Sequence, residues 1–209
     1  PLGGLFRHVL DLAGEQADRG HEVGIVADAT TGDALTEGRL DAIRPRMSLG
    51  IERIAMVRRP GAADLAAYRA VRDLARRLGA DVIHGHGAKG GAYARLARRS
   101  LRREGRRVAA FYTPHGGSLN YRPGTLESRI FIGLEKIMDG LTDGLIFESA
   151  YAARVYKRLV TERGAPFRIV HNGLQPKDFV PHVPAADAVE FVFLGELREV
   201  KGVDVLIKA

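Results

Sequence analysis

Two short segments rich in histidine and glycine carry the side chains best suited to chemistry in this chain of 209 residues. They are His84-Gly85-His86-Gly87 and Thr113-Pro114-His115-Gly116-Gly117, and each follows an apolar run. Metal ligation is not predicted at the first segment, because neighbouring strand residues point to opposite faces and no nearby acidic ligand completes a site. We expect His86 to face a cleft and His84 to satisfy a backbone group.

Glycine marks two places where the backbone could approach a ligand. Gly116 and Gly117 allow an unusual backbone path beside His115, which a loop lying against a substrate requires. An ordinary flexible loop is the alternative. Gly3-Gly4 stands just before a helix, where free N–H groups favour an anion such as phosphate. A simple turn explains that pair equally well.

The segment 191–209 has the pattern of a domain opening. An apolar strand leads into a glycine-containing turn that bears Arg198 and Lys201, and an amphipathic helix then begins. A helix of two turns is marginal without more chain to pack on. We therefore expect residues 189–209 to be the truncated start of a second domain. We also expect the natural N-terminus, ahead of Pro1, to be missing.

The elements that position these residues alternate between strand and helix. Alternation at these lengths predicts βαβ units, and therefore an α/β fold with a Rossmann-like parallel sheet and helices on both faces. In such a sheet ligands bind beyond the carboxyl ends of the strands, where both histidine segments stand. Strands are predicted over 22–27, 53–57, 81–84, 108–112, 144–147, 168–170 and 190–194, and helices over 5–19, 62–78, 88–103, 126–138 and 149–163, with a polar loop before the second strand.

Three prolines in the segment 172–188 predict a stiff linker between domains. The first domain would then span residues 1–171. The chain has no cysteine, which excludes a disulfide framework and fits a cytoplasmic protein. Its apolar runs are far shorter than the roughly 20 residues of a membrane span.

The charge balance is basic, with 32 Lys+Arg against 25 Asp+Glu and a net charge of +7. This permits nucleic acid, an anionic membrane surface or a phosphorylated small molecule as partner, or it reflects an arginine-rich composition alone. No nucleic-acid partner is predicted, because the basic cluster lacks interleaved aromatics. We expect a solvated helix face, with peripheral contact to anionic lipid as the second interpretation. The cluster comprises Arg95, Arg98, Arg99, Arg102, Arg103, Arg106 and Arg107.

An ordered series of short motifs resembles the family-4 retaining glycosyltransferases over almost the whole chain. Each piece is common, and it is their order that is specific. The series is Gly3-Gly4, His8-Val9-x-x-Leu12-Ala13, Arg19-Gly20-His21-Glu22-Val23, Asp81-Val82-Ile83-His84-x-His86, Thr113-x-His115-Gly116, Ser149, Asn172-Gly173 and Lys201-Gly202-x-Asp204.

The resemblance implies the N-terminal half of a GT-B fold, in which two Rossmann-like domains hold a nucleotide-sugar donor between them. Gly3 and Gly4 would admit the donor diphosphate, and Lys201 would offset its charge. His115 would contact the transferred sugar and act as the catalytic residue. His86, with the glycines after His115, would line the acceptor side of the cleft. No metal or cofactor is expected, because Lys201 takes over the electrostatic role.

The implied partners are a nucleotide sugar and a saccharide or lipid-linked acceptor in cell-envelope polysaccharide, lipopolysaccharide or glycolipid synthesis. The implied enzyme is a hexosyltransferase-type glycosyltransferase at the inner face of the membrane, with this fragment inactive alone. Two departures stand out: Glu196 replaces the family's arginine after the turn glycine, so Arg198 would have to substitute, and the family's paired glutamates would lie beyond Ala209. A further strand, near the centre of the sheet, would precede Pro1. The alternatives are a nucleotide-sugar epimerase and a basic Rossmann-like binding module.

Overall fold

The chain forms two compact units, residues 1–173 and 174–209. The computed structural model describes residues 3–57, 61–116, 124–162, 164–181, 183–193, 195, 197 and 201–208. Arg198 and Gly117, both predicted as site residues, lie outside these ranges. The domain boundaries predicted from the sequence stay a prediction.

Strands and helices alternate through the first unit, as the sequence predicts. The strands are β1 (Ile25–Asp28), β2 (Ile51–Ile54), β3 (Val82–His86), β4 (Ala109–Thr113), β5 (Gly144–Phe147) and β6 (Phe167–Ile169). The helices are α1 (Gly4–Asp18), α2 (Ala34–Ile43), α3 (Ala63–Leu78), α4 (Gly87–Arg103), α5 (Leu126–Asp139) and α6 (Ala150–Leu159).

Every described strand pair is parallel, which confirms the α/β fold, but the strands form two sheets. One sheet pairs β1 with β2, and the other has the order β3-β4-β5-β6. The registers place Ile25 opposite Ile51, and Val82 opposite Ala109. A cleft of about 890 Å³ lies between the two sheets and is lined along β1 and β3. The single sheet predicted from the sequence is therefore divided where these two strands face each other without pairing.

The polar loop predicted before β2 is wrong, because residues 34–43 form α2. The Asp33 side chain accepts a hydrogen bond from the Thr36 backbone N–H and caps this helix. Leu40 and Ile43 are buried and anchor it to the first unit. The cap satisfies a backbone donor at the start of the helix, and the burial of the two aliphatic side chains stabilises the helix further.

The carboxyl end of β3 is held close against the first turns of α4. A Cβ atom added at Gly85 would lie 2.5 Å from the carbonyl oxygen of Gly90, which no real side chain tolerates. At Gly91 an added Cβ would lie 2.3 Å from the Tyr112 ring. Glycine is therefore required at both positions. This close approach fixes where the histidines on either side of Gly85 stand.

The arginine-rich helix α4 does not present a uniformly solvated face, and the predicted exposure of the cluster is wrong for two of its members. Arg95 is 1% exposed, and its guanidinium lies 4.1 Å from the centroid of the Tyr112 ring. Arg98 makes two hydrogen bonds to the Asp143 carboxylate, of 2.8 and 2.7 Å. Their partners come from later elements of the chain. The exposed arginines are Arg99, Arg102, Arg103, Arg106 and Arg107.

The second unit holds a short 3₁₀ helix, Pro176–Phe179, and the helix α7 (Val203–Lys208). The strand predicted over 190–194 is wrong for its described residues, since 190–193 are not in a strand. Phe191 and Val192 are 84% and 80% exposed, and they join neither of the two described sheets. Across the described parts of the chain, no helix combines the length and hydrophobicity needed to cross a membrane.

Candidate active site

Four ionisable side chains are brought together by the carboxyl ends of neighbouring strands and by α1. His86 is the last residue of β3, and His115 stands two residues beyond the end of β4. Glu148 directly follows β5, and His8 lies in the second turn of α1. Parallel strands end at one edge of a sheet, so residues far apart in the sequence meet there.

Three of these side chains form a compact histidine cluster, which we define as His8, His86 and His115. Nδ1 of His86 lies 3.1 Å from Nε2 of His115, within hydrogen-bond distance. The His8 ring centroid lies 5.6 Å from that of His86 and 5.2 Å from that of His115, both in edge-on geometry. The sequence singled out His86 and His115, and the structure places them in direct contact.

His84 lies beside the cluster, and two expectations about it are wrong. His84 and His86 are two residues apart in a strand and therefore share a face, with ring centroids 4.0 Å apart. The His84 Nε2 atom lies 2.9 Å from Oγ1 of Thr113, so its partner is a side-chain hydroxyl rather than a backbone group. The hydroxyl belongs to β4, and the sequence alone does not give the register in which β4 pairs with β3.

Burial keeps these imidazoles neutral. Desolvation, reinforced by the charges of the neighbouring histidines, lowers the pKa of His86 to about 2 and that of His84 to about 4. Desolvation also lowers the pKa of His8 and of His115, although the negative charge of Glu148 opposes it in both cases. A neutral imidazole has one N–H donor and one acceptor nitrogen. The cluster is thus equipped to bind a polar, uncharged group.

The backbone at His115 is held in the left-handed region, with φ of +50°. No other non-glycine residue among those described has positive φ. Gly116 follows with φ of +78°, so the chain turns sharply after β4. Such a conformation costs about 1–2 kcal/mol in a residue with a Cβ atom, and it is typical of functional sites. The unusual backbone path predicted for this loop is therefore present at His115 and Gly116.

The start of α1 leaves room for a ligand. Gly3 is the N-cap and Gly4 the first residue of the helix, and none of the described side chains caps the free N–H groups. Added Cβ atoms at Gly3 and Gly4 would meet no atom of the described residues within 4 Å, and neither residue has positive φ. The fold therefore does not itself require glycine there. Open space beside uncapped N–H groups suits an anion such as phosphate.

Glu148 is one of two members of the site that the sequence did not identify, and His8 is the other. Its Oε2 atom is buried and has no hydrogen-bond partner among the described residues. A buried carboxylate oxygen without a partner is costly and marks a place where a ligand group is expected. The available signal was its position, directly after a buried strand, beside the capping residue Ser149 that begins α6.

The family described as Glycosyltransferase Family 4 matches residues 2–178, which include all of the first unit's strands and helices. The chain belongs to glycosyltransferase family 4. It is therefore a glycosyltransferase with the Rossmann-like architecture of a GT-B half, as the ordered motifs predict. No curated protein matches the chain.

Family membership leaves the individual roles of the predicted site residues open. The first unit holds five of these residues. Gly3 and Gly4 stand at the start of α1, His86 ends β3, and His115 and Gly116 follow β4. Lys201 belongs to the second unit, where it is exposed and lies two residues before α7. The sequence therefore named His86 and His115 as candidates in the first unit, but not His8 or Glu148.

Proposed function

We propose that this protein moves a hexosyl unit from a nucleotide sugar to a saccharide or lipid-linked acceptor, with retention of configuration. The observation that carries this is the neutral histidine cluster beside an uncapped helix start. Sugar hydroxyls both donate and accept hydrogen bonds, and neutral imidazoles do the same. The helix start offers N–H groups to an anion, such as the donor's diphosphate. Synthesis of a cell-envelope polysaccharide or glycolipid is the corresponding role.

In this proposal His115 contacts the transferred sugar. The imidazole is half-buried and neutral at physiological pH. It can therefore stabilise charge that develops on the sugar through a hydrogen bond, while the ring itself stays neutral. The backbone at His115 has positive φ, and its ring contacts His86 at the end of β3. His86 and Gly116 would line the acceptor side, as the sequence also predicts for Gly117.

The donor diphosphate is proposed to lie against Gly3 and Gly4. Lys201, and Arg198 in place of the family's usual arginine, would offset the negative charge that develops as the leaving group departs. Cationic side chains that take this role make a resident metal unnecessary for transfer. We therefore propose a transfer reaction without a metal or other cofactor.

Peripheral contact with the inner membrane surface is part of the proposal for lipid-linked acceptors. Arg99, Arg103, Arg106 and Arg107 are exposed at the end of α4 and in the turn after it. Arginines near an anionic surface contribute about 1 kcal/mol each at physiological salt. Arg95, which pairs with Glu135, and Arg98 and Arg102, which pair with Asp143, would not take part.

The test is a donor screen with the full-length protein. A panel of nucleotide sugars is incubated with oligosaccharide and lipid-linked acceptors, and transfer is followed by mass spectrometry, with the anomeric configuration of the product read by NMR. We expect one nucleotide-sugar class to be used, with retention, in the presence of EDTA. Inversion of configuration or complete dependence on an added metal would contradict the proposed chemistry. An interconversion of donor sugars without any acceptor would instead indicate an epimerase.

A further inference from the structure

The histidine cluster has a geometry that sugar binding does not require. One ring nitrogen from each of His8, His86 and His115 can be chosen so that all three lie within 4.8 Å of one another. Two of these side chains already approach to 3.1 Å through His86 Nδ1 and His115 Nε2. Three imidazole nitrogens that converge on one point form a common ligand set for transition metals.

We propose that His8, His86 and His115 form a binding site for a divalent transition-metal ion such as Zn²⁺. Zinc bonds imidazole nitrogen at about 2.0–2.1 Å, which separates two ligands of a tetrahedral ion by about 3.4 Å. The His86–His115 separation of 3.1 Å already approaches this value. His8 needs only a small side-chain movement, since its nitrogen lies within 4.8 Å of the others.

The surroundings favour a cation. Glu148 has a buried Oε2 without a hydrogen-bond partner among the described residues, and its negative charge acts on both His8 and His115. A carboxylate near two of the three imidazoles lowers the electrostatic cost of bringing in a divalent ion. It can also accept a hydrogen bond from a water that completes the coordination. This is the independent observation that distinguishes the cluster from three histidines that merely pack together.

The ligand type selects the metal. Imidazole suits Zn²⁺, Ni²⁺, Co²⁺ and Cu²⁺, whereas Mg²⁺ and Ca²⁺ prefer oxygen ligands. Three protein ligands leave a fourth position open, which is the arrangement of an exchangeable site rather than a structural one. The rings are half-buried at the strand ends and remain reachable from solvent. We therefore assign the site to a reversibly bound ion.

Metal binding is separate from the proposed transfer reaction and can be measured without any sugar. Only where that proposal also holds would the ion compete with sugar for His115 and inhibit transfer. The primary experiment is therefore a titration of the metal-free 209-residue chain with Zn²⁺ by calorimetry. Co²⁺ titration followed by visible absorption reports the coordination geometry in parallel.

We expect one ion to bind per chain. The change His86→Ala should weaken binding by more than about 100-fold, since loss of a direct ligand costs more than loss of a residue that only contacts a ligand. Glu148→Gln should weaken binding by about 10-fold. His21→Ala is the matched control, because His21 is exposed and outside the cluster; it should bind as the unchanged chain does. Circular dichroism in metal-free buffer verifies that each variant is folded.

A second measurement keeps the proposal testable should His86→Ala fail to fold. In the unchanged chain, ¹⁵N NMR of the histidine rings should show that the ring signals of His8, His86 and His115 all shift at one equivalent of Zn²⁺. Zinc binding that leaves these three signals in place, binding that survives in a folded His86→Ala chain, or no binding at all would overturn the site.

Discussion

The guanidinium of Arg95 lies 2.8 Å from the Glu135 carboxylate, with side chains that are only 1% and 5% exposed. Arg95 also stacks on Tyr112, whose hydroxyl donates to the other oxygen of Glu135 at 3.1 Å. The pair links α4 to α5, and through Tyr112 it also contacts β4, the strand that precedes His115. An arginine that the sequence places in a basic surface cluster is therefore part of the interior of the first unit.

Removal of either partner of this buried ion pair should be strongly destabilising. We expect Arg95→Met to lower the free energy of unfolding by about 3–5 kcal/mol, because the buried Glu135 carboxylate loses the positive charge of Arg95. The double variant Arg95→Met/Glu135→Leu should cost less than the sum of the two single changes. Chemical denaturation measures all three. Arg99→Met, on the exposed side of the same helix, should stay within about 0.5 kcal/mol; equal effects at both arginines would refute the buried pair.

Gly85 should not tolerate a side chain. An alanine Cβ there would lie 2.5 Å from the Gly90 carbonyl oxygen and 2.6 Å from the Gly91 Cα, both of them backbone atoms. We expect Gly85→Ala to destabilise the protein by about 2–3 kcal/mol through this overlap. Gly38→Ala is the matched control, since it lies in α2 with nothing within 4 Å of the added Cβ. The control should gain about 0.5–1 kcal/mol, as alanine favours a helix interior.

Asp28 should make stability depend on acid pH. Desolvation pushes the pKa of its carboxyl upward, but hydrogen bonds from Thr30, Thr31 and Met56 outweigh this and lower the pKa from 3.8 to about 2. A depressed folded-state pKa stabilises the protein above pH about 4, and that contribution is lost as the pH falls towards about 2. Solvent screening of this partly exposed group holds the effect to about 1 kcal/mol.

The measurement for Asp28 is the difference in unfolding free energy between the unchanged chain and Asp28→Asn across pH 2 to 6. We expect the difference to shrink as the pH falls. Thr31→Val removes one donor, whose Oγ1 lies 2.7 Å from the Asp28 Oδ2 atom, and should show a smaller pH dependence. A difference between Asp28→Asn and the unchanged chain that is the same at every pH would contradict the assignment.

Binding to anionic vesicles should depend on the exposed arginines and not on those with internal partners. We expect a steep loss of binding with salt, since the Debye length falls from about 10 Å at 0.1 M to about 3 Å at 1 M. Reversing the charge of Arg103, Arg106 and Arg107 should abolish binding and leave the Asp143 contacts intact. Co-sedimentation with vesicles measures this, and binding insensitive to salt and charge would remove the membrane contact.

Much of the fold could be predicted because its signals are local. The apolar faces of α3 and α4 repeat at the helical period, and the strands between them are short apolar runs bounded by turn residues. Helix α2 was missed because Leu35, Leu40 and Ile43 give a weak period, although Asp33 and Thr36 carry the capping signal. The two-sheet pairing was missed because it depends on how β1 and β3 face each other across the cleft.

Part of the candidate site could also be predicted from local sequence signals. The histidines follow strands, and strand ends meet at one edge, so His86 and His115 could be expected together. The shared face of His84 and His86 follows from their spacing and should have been predicted. The burial of Arg95 and the unpartnered oxygen of Glu148 could not, because each depends on side chains from distant elements. Such contacts are set by packing, which local patterns do not specify.

We propose that sugar is transferred at the histidine cluster at the strand ends, and turnover of His115→Ala in the full-length protein tests this most directly. We expect sugar transfer to fall by about 10²-fold or more, the scale of losing one positioned electrostatic group, while the folded state is retained. His21→Ala, outside the cluster, should transfer at the unchanged rate. Near-normal transfer by a folded His115→Ala protein would contradict the claim and remove this cluster from the reaction.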